Sequence, residues 1–125
     1  MTETPALKRP EEIKATYLKL IDRHLDDLLH GRVSEMQEIE DFADQLHIHP
    51  IHLSNTIKAL TGTSPCGLYQ VKIMEAAQKL LADPRVTIRQ IAFLLTFEPS
   101  QFTKWFKRFQ GITPKQFRAQ LLNGQ

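Results

Sequence analysis

Apolar side chains recur along the chain at spacings of three and four, and few segments alternate with period two, so the pattern predicts helices and no convincing strand. Residues 10–30 place Ile13, Tyr17, Leu20, Ile21, Leu25 and Leu28 on one stripe, which predicts an amphipathic first helix ending near Gly31. Ser34-Glu35-Met36-Gln37 has the Ser-x-x-Gln capping pattern, in which hydroxyl and amide satisfy free backbone donors, and predicts the start of a second helix running to about Leu46. A longer helix is marked by Leu68, Val71, Met74, Ala77, Leu80 and Leu81. Ser64 is its expected N-cap, and Pro65 takes the first helical position, where the missing donor costs nothing; Asp83-Pro84 stops it.

Residues 36–65 match residues 85–114 at a constant offset of 49 without a gap, and seven of the thirty pairs are identical. The identities are Ile39 with Ile88, Ala43 with Ala92, Leu46 with Leu95, Pro50 with Pro99, Lys58 with Lys107, Gly62 with Gly111 and Pro65 with Pro114. Apolar character is kept from Phe42 to Ile91, Ile48 to Phe97, Leu53 to Phe102, Ile57 to Phe106 and Leu60 to Phe109. One structural unit is therefore present twice.

In the first copy Ile39, Phe42, Ala43 and Leu46 line a helix face, His47-Ile48-His49 breaks it, and Pro50 opens a helix whose inner face is Leu53, Ile57 and Leu60. Two helices joined by so short a turn make a helix-turn-helix, with Ala43 and Ala92 small enough to let the helix axes approach. Gly62 and Gly111 are expected as left-handed C-caps, and Thr87-x-x-Gln90 as a capping box. The second copy turns Phe102, Phe106 and Phe109 inward on the same logic.

Charge sharpens this picture. Up to His49 there are six basic and eleven acidic residues; from Pro50 onward there are ten basic and three acidic. The second part is thus a candidate polyanion-binding surface. In a helix-turn-helix the outer face of the second helix meets the DNA major groove. In the second copy that face carries Ser100, Gln101, Thr103, Lys104, Lys107 and Arg108. Gln101 suits adenine edges and Lys104 guanine edges, whereas Lys107, Arg108 and Thr103 suit phosphates. In the first copy it carries Ile51, His52, Ser54, Asn55 and Lys58, with one fixed positive charge. There Asn55 matches adenine and Ile51 a thymine methyl, which gives selectivity without much affinity. The intervening helix of roughly 27 Å, at ~1.5 Å per residue, is near the ~34 Å between successive major-groove faces. One chain is then able to fill two adjacent grooves.

These residues resemble the AraC/XylS family of bacterial transcription regulators, over about Glu12 to Arg118. The most specific part is Ile88-Arg89-Gln90-Ile91-Ala92 followed by Phe97, Phe102, Phe106-Lys107, Gly111-Ile112-Thr113-Pro114 and Phe117-Arg118; the run from Leu53 to Lys58 with Thr61-Gly62-Thr63-Ser64-Pro65 parallels it. The resemblance implies two helix-turn-helix subdomains joined by a long linker helix, base reading by Ile51, Ser54, Asn55, Ser100, Gln101 and Lys104, and activation by recruiting RNA polymerase. This chain departs from the family in having Thr96-Phe97 where Gly-Phe is usual, in a turn one residue shorter, and in Ile73 where a basic residue is common. Many members also carry an effector-binding domain, for which 125 residues leave no room, so a short member or a piece of a longer protein is implied.

The expected architecture is all-α with about seven helices. It comprises a disordered tail over 1–9, a helix-turn-helix subdomain over 10–64, a linker helix over 65–83, a second subdomain over 84–120 and a tail over 121–125. The expected function is sequence-specific binding of double-stranded DNA by a cytoplasmic regulator, most simply a monomer, since two units in one chain remove the usual need to dimerise. The competing reading is a protein-interaction module that uses the acidic first helix around Asp22, Asp26, Asp27 and Glu35. No nucleophile-base set, phosphate-cradling glycine loop or paired acidic motif appears, so an enzyme and a cofactor are not expected. His47-x-His49-x-x-His52 crosses a turn, which scatters the rings and argues against a metal site. Cys66 has no partner for an intramolecular disulfide. It is read as a small residue at a helix start, and nothing points to a membrane.

Overall fold

A computed structural model describes residues 9–123; most of the expected first tail and the last two residues of the expected second lie outside them. Among the described residues there are seven helices and no strand: α1 (Pro10–Leu29), α2 (Ile39–Gln45), α3 (Pro50–Thr61), α4 (Pro65–Leu81), α5 (Ile88–Leu94), α6 (Pro99–Gln110) and α7 (Pro114–Leu122). None is long and apolar enough to cross a membrane. The chain divides into two compact units, one holding the chain up to Asp26 with Gln37–Lys72, the other Asp27–Met36 with the chain from Ile73 onward.

The first unit is built around Phe42. Its ring meets Tyr17, His24 and Tyr69 edge-on at centroid distances of 5.7, 5.9 and 5.1 Å, a geometry that sets ring edges against π faces. Ile13, Ile21, Ala43, Leu46, Leu53 and Ile57 are buried with it. Each polar atom carried in by these rings has a partner, as burial demands. Tyr17 Oη donates to the Pro65 carbonyl at 2.6 Å, Tyr69 Oη donates to the Gln37 carbonyl at 3.0 Å, and His24 Nε2 accepts from the Gln37 N–H at 2.9 Å. On the surface Lys72 pairs with Asp22 at 3.1 Å.

The second unit repeats the arrangement with phenylalanines. Phe102 and Phe106 are fully buried, Phe106 meets Phe117 of α7 edge-on at 5.4 Å, and Ile91, Ala92 and Leu95 close the inner side. Arg118 of α7 reaches back to the end of α4. Its Nε donates to Leu81 O at 3.0 Å and its Nη2 to Asp83 O and Val86 O at 3.1 and 2.6 Å. Beside it Arg85 forks onto the Asp83 carboxylate, and these hydrogen bonds hold Asp83 below the ordinary carboxylate range.

Helix ends follow local chemistry. Thr87 with Gln90 and Thr113 with Gln116 form capping boxes, and the Ser64 hydroxyl accepts from the Gly67 N–H at 3.0 Å. Gly62 and Gly111 end α3 and α6 with φ of 75° and 88°, a left-handed conformation that favours glycine. Four readings of the sequence are corrected. Residues 34–37 do not open a helix; α2 is capped at Glu38, whose N–H donates to Asp41 Oδ2 at 2.8 Å. The buried face of α4 is Tyr69, Ile73, Ala77 and Leu81, whereas Val71 is 54% exposed. Phe109 is 56% exposed and Leu60 38%, because both sit in the last turns of their helices, beyond the buried cluster.

Candidate nucleic-acid interface

Helix α6 is the more sharply amphipathic of the two second helices. Phe102 and Phe106 have no exposed surface, and at ~100° per residue Lys104, two positions from each, lies opposite them. Ser100, Gln101, Lys104, Lys107 and Arg108 are all exposed. Gln101 and Arg108 flank Lys104 on one side and Ser100 and Lys107 on the other, so three cations share one solvent face with two hydrogen-bonding side chains. Thr103 is half-buried and its hydroxyl donates to Pro99 O at 3.2 Å, which turns its proton inward. The Arg108 guanidinium lies 5.7 Å from the centroid of the Phe109 ring.

Helix α3 presents the equivalent face with different chemistry. Leu53 and Ile57 are buried, and Asn55 stands opposite them as Lys104 does in α6. Ile51 is 65% exposed, His52, Asn55 and Lys58 are exposed, and Ser54 is half-buried. His49 caps the helix, its Nδ1 accepting from the Ile51 N–H at 3.1 Å, where α6 has Glu98 with no side-chain cap bond. His47, His49 and His52 do not converge, and among the described residues no group of three His, Cys, Asp or Glu is placed to hold a metal ion.

The turn before each second helix contains one residue at positive φ, His47 at 60° and Thr96 at 65°. Reversing the chain there sets the angle at which α3 and α6 leave α2 and α5. Neither residue is among the predicted contacts. Their equivalence under the 49-residue offset was visible in the sequence, but a left-handed backbone at histidine and threonine was not.

A concavity in the C-terminal unit also escaped sequence reasoning. Its volume is about 670 Å³, and its lining includes Leu28, Val33, Arg85, Val86, Phe93 and Leu94 but no residue of α6. Its walls come from segments more than fifty residues apart along the chain, which no local pattern connects. The Arg89 guanidinium stacks over the exposed Phe93 ring at 5.3 Å.

Two brace-and-probe helix pairs, each ending on a left-handed glycine and followed by a proline-initiated helix, define a protein of the double helix-turn-helix class. The chain belongs to the AraC/XylS-type helix-turn-helix family: a family profile described as "helix-turn-helix domain" matches residues 42–120. It is 30% identical over 94 residues to the uncharacterized HTH-type transcriptional regulator YobQ of Bacillus subtilis, covering 74% of this chain and 39% of that protein. It is also 36% identical over 81 residues to the HTH-type transcriptional regulator VirS of Mycobacterium tuberculosis, covering 64% and 24%. The chain thus spans well under half the length of these relatives. The fold superposes on the C-terminal domain of the two-component response regulator yesN from Fusobacterium nucleatum with a TM-score of 0.70 and 25% identity, covering 84% of this chain and 96% of that one. It superposes on the DNA-binding domain of AdpA, solved in complex with a target DNA, with a TM-score of 0.67 and 21% identity, covering 83% and 90%.

Proposed function

We propose that the chain binds double-stranded DNA at a defined sequence and regulates transcription, each unit laying one recognition helix, α3 or α6, into a major groove. The observation that carries this reading is the outer face of α6, where Gln101 and Lys104 project beside Lys107 and Arg108 from a helix whose opposite face is buried. Base-edge donors at the centre of such a face specify sequence, and the cations along it position the helix on phosphates. Ser100 adds a short hydroxyl contact, and Thr103 joins it where its hydroxyl gives up the bond to Pro99 O. On α3, His52, Ser54, Asn55 and Lys58 occupy the matching places with a single fixed charge, so that unit supplies little of the electrostatic affinity.

The remaining assignments follow the family resemblance, except the monomer, which follows from two units in one chain. The chain acts in the cytoplasm without chemical catalysis or a cofactor, engages DNA as a monomer, and activates by contacting RNA polymerase. The domain plan that accompanies this reading is a helix-turn-helix subdomain over 10–64, a linker helix over 65–83 and a second subdomain over 84–120.

Selection of bound duplexes from a random pool at physiological salt tests the reading. A motif with two halves is expected, one for each unit. Elution from a DNA column at low salt, with no dependence on duplex sequence, would defeat it.

A further inference from the structure

We propose that Ile51 makes the first unit a reader of the pyrimidine 5-methyl group. On this proposal, which rests on the DNA-binding reading above, the half-site of α3 favours a thymine and accepts 5-methylcytosine in its place. An isolated exposed apolar side chain is ordinary on a protein surface. What distinguishes Ile51 is where it stands. It lies in the first turn of α3, on the outer face, and at 65% it is the most exposed of the large apolar residues described. Nothing in the helix-turn-helix requires an apolar residue there, since the equivalent position of α6 is Ser100. Nor does Ile51 pack to hold the helix start, which is fixed by Pro50 and by the His49 imidazole accepting the Ile51 N–H.

The major-groove edge of a base pair offers hydrogen-bonding groups and one apolar one, the C5 methyl of thymine. A β-branched side chain is stiff at χ1, so Ile51 presents its methyl groups to that edge with little rotamer freedom to lose. Asn55, one turn further along the same exposed face, pairs bidentately with adenine. The two together describe a half-site rich in A·T pairs. Contact of this kind releases no counterions, which fits a recognition helix whose outer face carries only Lys58 as a fixed cation. The unit therefore gains selectivity from apolar fit where α6 relies on charge.

The test uses the full chain and its selected duplex. Each thymine is replaced in turn by deoxyuridine, which removes the methyl and keeps every hydrogen-bonding group. One replacement in the α3 half is expected to weaken wild-type binding about three- to fivefold, the worth of one buried methyl, by the same factor at low and high salt. Ile51→Ala and Ile51→Ser should bind the thymine and uracil duplexes equally. Replacing that T·A pair by C·G should weaken the wild type, and methylating the cytosine at C5 should restore about the same factor to the wild type alone. Because Ile51 is exposed and alanine is the better helix former, Ile51→Ala should melt no lower than the parent, so an altered ratio is not a folding defect. A wild type that binds its site specifically yet ignores every uracil, or an Ile51→Ala variant that remains as sensitive, overturns the proposal while leaving DNA binding intact. Binding with no sequence preference overturns both.

Discussion

Tyr69 and Arg118 stand 49 residues apart at matching places in the two units and donate to matching carbonyls, Tyr69 Oη to Gln37 O at 3.0 Å and Arg118 Nη2 to Val86 O at 2.6 Å. In both units, then, the helix that follows the recognition helix returns a side chain to the segment just before the brace helix and ties it down. The repeat keeps the bond and changes the donor. Arg118 does more than Tyr69, because its Nε and Nη2 also satisfy Leu81 O and Asp83 O at the end of α4, where a cation is favoured by the helix dipole.

Arg118→Ala should therefore lower stability by about 2–4 kcal/mol, the range for losing charge-assisted bonds and leaving carbonyls without a donor. Arg118→Lys should recover little of it, since one ammonium cannot reproduce a planar fork. Hydrogen exchange is expected to report faster opening of α5 and α7 amides in both variants. Normal protection in Arg118→Lys would show that charge, and not the fork, holds the segment.

His47 and Thr96 occupy the one left-handed position of each turn, with φ of 60° and 65°. A β-branched residue is poorly accommodated there, whereas histidine is among the residues found there more often. The glycine usual at the Thr96 position in the family that the chain resembles avoids the clash. Thr96→Gly should stabilise the protein by about 1 kcal/mol, the relieved strain exceeding the added chain entropy. His47→Gly should gain less. Both are read as a raised urea midpoint at unchanged slope, and a lowered midpoint for Thr96→Gly would mean the hydroxyl or methyl contributes contacts that outweigh the strain.

Stability should fall at alkaline pH through two tyrosines. Burial raises the phenol pKa of Tyr17 well above the ordinary value, helped by Cys66 and Tyr69, and raises that of Tyr69, helped by Glu38, Asp41 and Cys66. Both phenols thus stay protonated in the folded chain at a pH where the unfolded chain ionises. The stabilisation they give is complete below about pH 10, the unfolded value, and is lost as pH rises from there towards the higher folded values. Each tyrosine contributes a slope of about 1.4 kcal/mol per pH unit within that window. Urea midpoints between about pH 8 and pH 11.5 should show it. Tyr17→Phe should be less stable at neutral pH for want of the bond to Pro65 O and should lose about half the alkaline slope. An unchanged slope would assign the alkaline loss to other groups.

Much of this architecture is legible before any coordinates. The ungapped repeat locates both turns, both left-handed glycines and the Thr87 cap, because each of these depends on residues within one turn of each other. Helix α4 shows where such reading stops. Leu68, Tyr69, Val71, Ile73, Met74, Ala77, Leu80 and Leu81 leave it apolar on most sides, so periodicity does not select the buried face, and packing chose the Tyr69–Ile73–Ala77 side. Ser34 matches a capping pattern, yet the cap of α2 is Glu38 with Asp41, since carboxylates accept from a helix start as well as a hydroxyl does. The outer faces of α3 and α6 were readable because they follow from the buried ones, two residues away. The tie from Arg118 was not, because three carbonyls separated from it by more than thirty residues leave no mark on the sequence.

On the proposed DNA-binding reading the face of α6 divides its labour in a way that affinity measurements can separate. Lys104 lies opposite the buried Phe102 and Phe106, with Gln101 beside it in the first turns, where a recognition helix runs deepest in the groove. Lys107 and Arg108 lie in the last turn, and the proposed docking gives them the phosphates. Lys104→Ala and Gln101→Ala should each cost about 1–3 kcal/mol on the selected site and relax base preference at one defined position, with a much smaller effect on random duplex. Lys107→Ala should weaken specific and random duplexes by the same factor and reduce the slope of log K against log salt by about one. All three side chains are exposed, so melting temperatures should stay within a few degrees of the parent and changes in binding report contact and not unfolding. Equal losses on specific and random DNA for all three would reduce α6 to a cationic surface and move sequence reading elsewhere in the chain.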